Sequence, residues 1–288
     1  MEIRHITVNT PDYPQRLLQL HNPPKELFVR GANINELLER PCVAIVGSRN
    51  VTSYGRRMTM ELAGKLAEQG IVIISGLAIG LDALAHEACL EAGGLTIAVL
   101  PGPVEQIYPS SNERLGERLL AQGGVLVSEY PLEGYIGYKQ NFIARNRIIA
   151  GLAKAILIPE AALKSGSLHT AGFGTEANRD IMAVPGHVTS ATSVGTNNLI
   201  KSGAALITSY HDVLAALNLT EHRTTSVKAK GRNQYEQRIL DLIMQGVYNG
   251  NDLQIQSELD IQAYNQVITM LQIGGQIRPL GANQWALR

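Results

Sequence analysis

Six short apolar runs, each closed by glycine, proline or a small polar residue, constrain this chain more than any other feature. They are CVAIVGS (42–48), IVIISG (71–76), TIAVLPG (96–102), GVLVSEY (124–130), KAILIP (154–159) and IMAVPG (181–186). Runs of this length suit strands rather than helices, and because they are continuously apolar both strand faces need cover. Stretches with helical spacing, such as YGRRMTMELAGKLAEQG (54–70) and LDALAHEACLEAGG (81–94), separate several of them. Strand and helix in alternation imply an α/β fold: a mostly parallel sheet with helices on both faces. In such sheets ligands lie outside the carboxyl ends of the strands. Here those ends read Gly-Ser, Ser-Gly, Pro-Gly and Ser-Glu.

Around this rhythm the 288 residues divide further. Residues 1–40 lack periodicity, carry Pro11, Pro14, Pro23 and Pro24, and are expected to form an extended lead-in with short helices. Residues 41–217 are the α/β domain. Residues 218–234, with Arg223, Lys228, Lys230 and Arg232, read as a basic linker. Residues 235–288 give three helical segments and two short strands around Gly-Ala-Asn, the order of a winged helix. Lys and Arg total 25 and so do Asp and Glu, so coating duplex DNA by net charge alone is excluded while a local basic groove is not. Cys42 and Cys89 sit in apolar segments outside any CxxC or Cys/His cluster, so neither a zinc site nor any other metal or cofactor is expected. No apolar leader or 18-residue apolar run is present, which points to a reducing, cytoplasmic setting without a membrane anchor.

Several strand ends carry candidate ligand groups. Gly47, Ser48 and Arg49 follow the first run and precede a helix, whose amino terminus favours an anion that Arg49 could grip. In SGLAIGLDALAH, Asp82 suits a helix cap and His86 a core or surface position. PGPVEQIYPSSN (101–112) and Ser165-Gly166-Ser167 with Thr170 bring further small, polar loops. KQNFIARNRIIAGL (139–152) is polar at its start and apolar at its end. On a helix beginning near Phe142, Phe142, Arg145 and Asn146 share a face. Phe142, one of three phenylalanines, sits among cations and amides, a combination that suits stacking of an unpaired base. The alternative is that Arg145 and Arg147 pair with Glu129, Glu160 or Asp82 inside the fold while Phe142 packs down.

VGSRNVTSYG, SGLAIGLDALAH, YPSSN, VSEYP, QNFIARNRIIAGL, SGSLHTA, AVPG and GTNNLIKSGA, in that order, resemble the DNA-processing protein A family of natural transformation, also called DprA or Smf. The resemblance implies an extended Rossmann-like domain, binding of single-stranded DNA without sequence preference, loading of the RecA recombinase, and homodimerisation. It implies no enzymatic activity. By motif, Arg49 would grip phosphate, Lys139 would be a backbone cation, and Phe142 the stacking ring. Gly47, Ser48, Asn141, Arg145, Asn146 and Arg147 would shape the pocket, and Ser165, Gly166 and Ser167 would flank it. Members often carry an amino-terminal helical domain, which this chain is expected to lack, and commonly a carboxy-terminal winged helix. Three departures stand out: Ile143 where the family has Pro, Ser110 where many members have Lys, and Gly172 and Gly174 where a continuous helix is expected. Glycine costs about 1 kcal/mol per helical position relative to Ala, which predicts a broken helix there.

Two further readings follow from residues. GFGTE (172–176) faintly resembles nucleoside-monophosphate glycosidases, with Glu176 as the acid, so a nucleotide-binding enzyme is the alternative function. The third helix of the carboxy-terminal module, AYNQVITML, has no Arg or Lys, so protein docking is expected there rather than duplex reading.

Overall fold

The computed structural model describes residues 2–133, 135, 137, 139–221, 231–281 and 283–287, with the backbone alone at Lys139 and Leu280. It comprises two compact units, residues 1–222 and 223–288.

The first unit contains strands β1 (Ile3–Thr7), β2 (Glu26–Gly31), β3 (Cys42–Ile45), β4 (Val72–Ser75), β5 (Thr96–Val99), β6 (Val125–Ser128), β7 (Ala155–Ile158), β8 (Asp180–Ala183) and β9 (Ala205–Leu206). Its helices are α1 (Ile34–Glu39), α2 (Ser53–Glu68), α3 (Leu81–Glu91), α4 (Glu113–Ala121), α5 (Lys139–Leu152), α6 (Ser167–Glu176), α7 (Val194–Lys201) and α8 (Tyr210–Ala216). The strands form one sheet in the order β1-β2-β6-β5-β4-β3-β7-β8-β9. From β6 to β9 every pairing is parallel, while β1–β2 and β2–β6 are antiparallel.

All four residues of each of β3 to β7 are buried, as continuous apolar runs require. Alternate side chains feed two cores. Ala44, Ile74, Val99, Val127 and Ile156 join Ile148, Ile149 and Leu152 of α5 on one face. Val43, Ile45, Ile73 and Leu157 join Leu62 and Leu66 of α2 and Ala85 of α3 on the other.

Residues 1–40 carry the expected short helices, α1 and a 3-10 turn at Gln15–Gln19, but they are not an extended lead-in. They supply β1 and β2, which extend the sheet from β6. Leu27 and Val29 alternate inward in β2, and Leu17 and Tyr13 complete the same core. The flanking prolines hide this two-residue period from a reading for helical spacing. Helix α6 is continuous through Gly172 and Gly174. A Cβ at Gly174 would overlap Ile156 and Ile181, so glycine is what lets α6 lie close on β7 and β8. Tight packing there outweighs helix propensity.

The second unit contains α9 (Gln234–Met244), α10 (Gly250–Ser257), α11 (Ile261–Ile273), β10 (Ile277–Gly281) and β11 (Gln284–Leu287), the two strands pairing antiparallel. Asn233, Asn249 and Asp260 cap the three helices through their side chains. Ile239, Leu240, Leu253, Val267, Ile268 and Leu271 form the core. The exposed face of α11 presents Gln262, Asn265, Gln266 and Thr269. Of the expected basic linker, 222–230 lie outside the described residues. Both cysteines are free and buried, and no helix among the described residues is long and apolar enough to cross a membrane.

Candidate nucleic-acid interface

The strand order reverses at β3. The chain proceeds from β3 outward through β4, β5 and β6, then returns to the opposite side of β3 as β7. The loops leaving β3 and β7 therefore diverge, which opens a crevice at their carboxyl ends. A cleft of about 700 Å³ lies there. Gly47, Ser48 and Arg49 come from the β3 loop, Phe142, Ile143, Arg145 and Asn146 from α5, and Lys164, Ser165, Gly166, Ser167 and Thr170 from the β7 loop and α6. Three separate segments expected to meet thus do meet.

Local sequence shapes the rim. The Ser48 hydroxyl donates to Asn50 O (2.7 Å) and accepts from Asn50 N–H (3.1 Å), closing a tight turn that leaves Arg49 exposed. Gly80, at φ +94°, lies against this turn, where a Cβ would stand 2.7 Å from Arg49 Cα. The Arg49 guanidinium carbon lies 5.4 Å from the Phe142 ring centroid. Tyr108, 55% exposed, meets the same ring edge-on with centroids 5.6 Å apart. Phe142 therefore packs against polar-tipped neighbours on an open cleft, although it is partly shielded. Cation and rings together offer charge for a phosphate and flat faces for a base.

The floor is different. Arg145 is 3% exposed, and its Nη1 donates to Gly76 O (2.6 Å) and to Val99 O, while Nε donates to Asn146 Oδ1 (3.1 Å). Burial pulls its pKa down to about 10, against the opposing pull of Asp82; Arg49 adds a smaller depression. Asp82 is also buried, and its Oδ2 accepts the Gly76 N–H (3.1 Å). Burial raises the Asp82 pKa, and Arg145 and the Gly47 and Gly76 amides work against that rise. Asp82 is thus a counter-charge for the floor rather than the expected helix cap, a position Gly80 holds. His86 is a core residue: its Nδ1 is 2.7 Å from Thr96 Oγ1, and burial lowers its pKa to about 3.

Several expectations are corrected here. Arg145 spends its donors on the protein, because a buried guanidinium must be paired. Arg147 leaves the cleft altogether. It donates to both Glu129 carboxylate oxygens (2.9 and 2.6 Å) and to Asn22 O (2.9 Å), so it ties α5 to β6 and the amino-terminal segment. Asn141 is buried and donates to Tyr135 Oη (3.4 Å) without lining the cleft. The Lys139 side chain lies outside the described residues. The α2 amino terminus, expected to hold a ligand anion, is occupied by the protein's own Glu160. Its carboxylate accepts Thr52 N–H (3.1 Å) and the Thr52 hydroxyl (2.7 Å). Glu176 lines a separate cavity of about 340 Å³ with Glu129, Arg147 and Phe173 and not the cleft that holds Arg49 and Phe142.

Tyr108, in the PGPVEQIYPSSN loop expected at this sheet edge, and Lys164, which the sequence had not placed there, complete the cleft. Lys164 directly precedes Ser165-Gly166-Ser167, and Tyr108 opens YPSSN, which were the available signals. Among the described residues no cluster of His, Cys, Asp or Glu could hold a metal ion.

The model of the DNA recombination-mediator protein A family matches residues 4–218. The chain is 42% identical over 214 residues to protein Smf of Synechocystis, covering 74% of this chain and 53% of that protein. It is 41% identical over 203 residues to DNA processing protein DprA of Streptococcus pneumoniae, covering 70% of each. The chain spans about half the length of the first curated relatives it matches. The X-ray structure of DprA from S. pneumoniae superposes with a TM-score of 0.69 at 38% identity, over 77% of this chain and 76% of that one. A structure of DNA processing protein A from Helicobacter pylori, described for its single-stranded DNA binding mode, superposes with a TM-score of 0.65 at 34% identity, over 75% of this chain and 96% of that one.

Proposed function

Because the chain belongs to the DNA recombination-mediator protein A family, we propose that its cleft binds single-stranded DNA without sequence preference and presents it to a RecA recombinase. The observation that carries this reading is Arg49 standing over Phe142 at the open switch-point cleft. Arg49 contributes charge to a phosphate, Phe142 and Tyr108 contribute faces to bases, and Ser48 and Asn146 contribute polar edges. Lys139 is the further backbone cation of this reading. None of these roles discriminates between bases, since every base has a π-face.

The protein acts here as a binding module rather than an enzyme, in the cytoplasm and as a homodimer, and its setting is DNA uptake in natural transformation. Two grooves on one dimer raise effective affinity well beyond what one small set of cations supplies. The second unit is a winged helix serving protein contact: the amides and hydroxyl exposed on α11 come without the phosphate-positioning cations that duplex reading uses.

A fluorescence-anisotropy titration with oligothymidylate and with a matched duplex, on wild type, Arg49→Ala and Phe142→Ala, tests the cleft. The expected result is single-strand preference that both substitutions weaken. Equal affinity of all three proteins for oligothymidylate overturns it.

A further inference from the structure

Among the described residues, seven of the fifteen large apolar side chains exposed to water belong to the second unit, which holds less than a quarter of the chain. Two of them flank the turn between α10 and α11: Ile255 is 67% exposed and Ile261 61%. Apolar surface gathered in this way marks a contact face. Its charge is one-sided. From Gly250 to Ile273 the sequence holds Asp252, Glu258 and Asp260 and no Lys, Arg or His. All three acidic residues are exposed. Asp252 shares a side of α10 with Ile255, one turn later. The Glu258 amide donates to the Ile255 carbonyl (3.2 Å), and Asp260 caps α11 directly before Ile261. Arg238 of α9 reaches Glu258 (2.9 Å), and no ion pair to Asp252 or Asp260 occurs among the described residues. Glu258 closes α10 at φ +57°, a left-handed conformation that glycine adopts freely and glutamate does not.

We propose, on the reading of the second unit as a protein-contact module, that the turn between α10 and α11 docks a basic protein surface, one that sets apolar side chains among lysines or arginines. Charge complementarity selects this occupant. Duplex DNA and anionic lipid carry the same sign as the turn. A second copy of the turn, meeting the first across a two-fold axis, would set like carboxylates against one another. A cationic protein surface neutralises Asp252, Glu258 and Asp260 while it covers Ile255 and Ile261. The isoleucines supply the part of the attraction that survives salt, and the carboxylates select the partner's sign and orientation.

The probe is a helical peptide of leucine and lysine with its leucines on one stripe. A leucine–glutamate peptide and a serine–lysine peptide of equal length test sign and apolar contact separately, and a matched DNA duplex is titrated beside them. Each is added, over a range of salt, to full-length 15N-labelled wild type, Ile255→Ser and Glu258→Gly. The leucine–lysine peptide is expected to shift the amides of Ile255, Glu258 and Ile261 and to bind about tenfold more tightly than either control peptide. Ile255→Ser should lose about tenfold in affinity for it with an unchanged salt dependence, since no charge is removed. Glu258→Gly should lose about threefold and show a weaker salt dependence. Its thermal midpoint should equal or exceed that of wild type, because glycine accepts the left-handed conformation, so misfolding cannot mimic the result. Equal binding of the three peptides, or wild-type binding by both variants, overturns the docking surface. Shifts confined to Gln262, Asn265, Gln266 and Thr269 overturn this face and leave the protein-contact reading standing, and so does the absence of shifts with any peptide for the basic partner. Shifts of the turn amides with the duplex overturn both, because the module then meets DNA.

Discussion

At the rim of the cleft Arg49 is exposed and stands over Phe142; at the floor Arg145, one helical turn from the same ring residue, is buried against Gly76 and Val99. The two side chains are chemically identical and line the same cavity. Rim and floor nevertheless have opposite uses. A cation in water keeps its donors for a ligand, whereas one removed from water must give them to carbonyls and a counter-charge. The floor in turn sets the rim: Arg145 and Asp82 together hold the β4 end at Gly76, and from there the chain runs to Gly80, against which the Arg49 turn lies. Counting basic residues near a cleft therefore overstates its charge for a ligand.

The sharpest way to break this contrast is at the floor. Arg145→Ala leaves Asp82 without its counter-charge and Gly76 O and Val99 O without a donor. A destabilisation of about 3–5 kcal/mol is expected in urea denaturation. Stability within 1 kcal/mol of wild type would show that the floor is not held this way. At the rim, Arg49→Ala should cost about 1.5–3 kcal/mol of oligothymidylate binding, reduce the salt slope by about 0.7, and leave the urea midpoint where it was. A matching drop in stability would erase the distinction between the two arginines. Phe142→Ala should cost about 1–3 kcal/mol of binding with the salt slope unchanged, since stacking releases no counterions.

The pH dependence of stability sharpens the floor further. Burial holds His86 neutral, with a pKa near 3 in the fold against 6.5 in the unfolded chain. Below about pH 6.5 the unfolded chain takes up a proton that the folded state refuses. The contribution is thus present above that pH and is lost as the pH falls towards 3. Between pH 6 and 4 its slope approaches about 1.4 kcal/mol per pH unit. Urea denaturation should show a shallower dependence for His86→Asn than for wild type, and parallel curves would contradict a buried neutral imidazole. The smallest effect belongs to Glu176→Ala: it lines another cavity, so oligothymidylate affinity should not change.

Much of the sheet was legible beforehand because β3 to β7 lie in continuous apolar runs, and a parallel strand buried on both faces writes its position directly into composition. β1 and β2 were not, because their burial is one-sided and their alternation is short and bracketed by prolines. α6 escaped for the opposite reason. Its glycines read as breaks when taken alone and as contact points once Ile156 and Ile181 lie beneath Gly174. In the cleft, Arg49, Phe142, Asn146 and Ser165–Ser167 stood out because polar residues clustered at strand ends of an apolar sheet need a ligand or a partner. The alternative that Arg147 pairs inside the fold holds, with Glu129 as its partner; spacing offered Glu129, Glu160 and Asp82 alike and could not choose among them.

Sequence alone was enough for the class of sheet, the edge at which ligands gather, and the short list of groups able to meet them, because burial on both faces and loop chemistry are local properties of the chain. Tertiary structure decided which of those groups are free. It brought Glu160 to the start of α2, Glu129 to Arg147 and Asp82 towards Arg145, and left Arg49 and Lys164 exposed at the cleft. Whether a charge serves the fold or a ligand depends on what lies within a few ångströms of it, and those neighbours come from segments far apart along the chain.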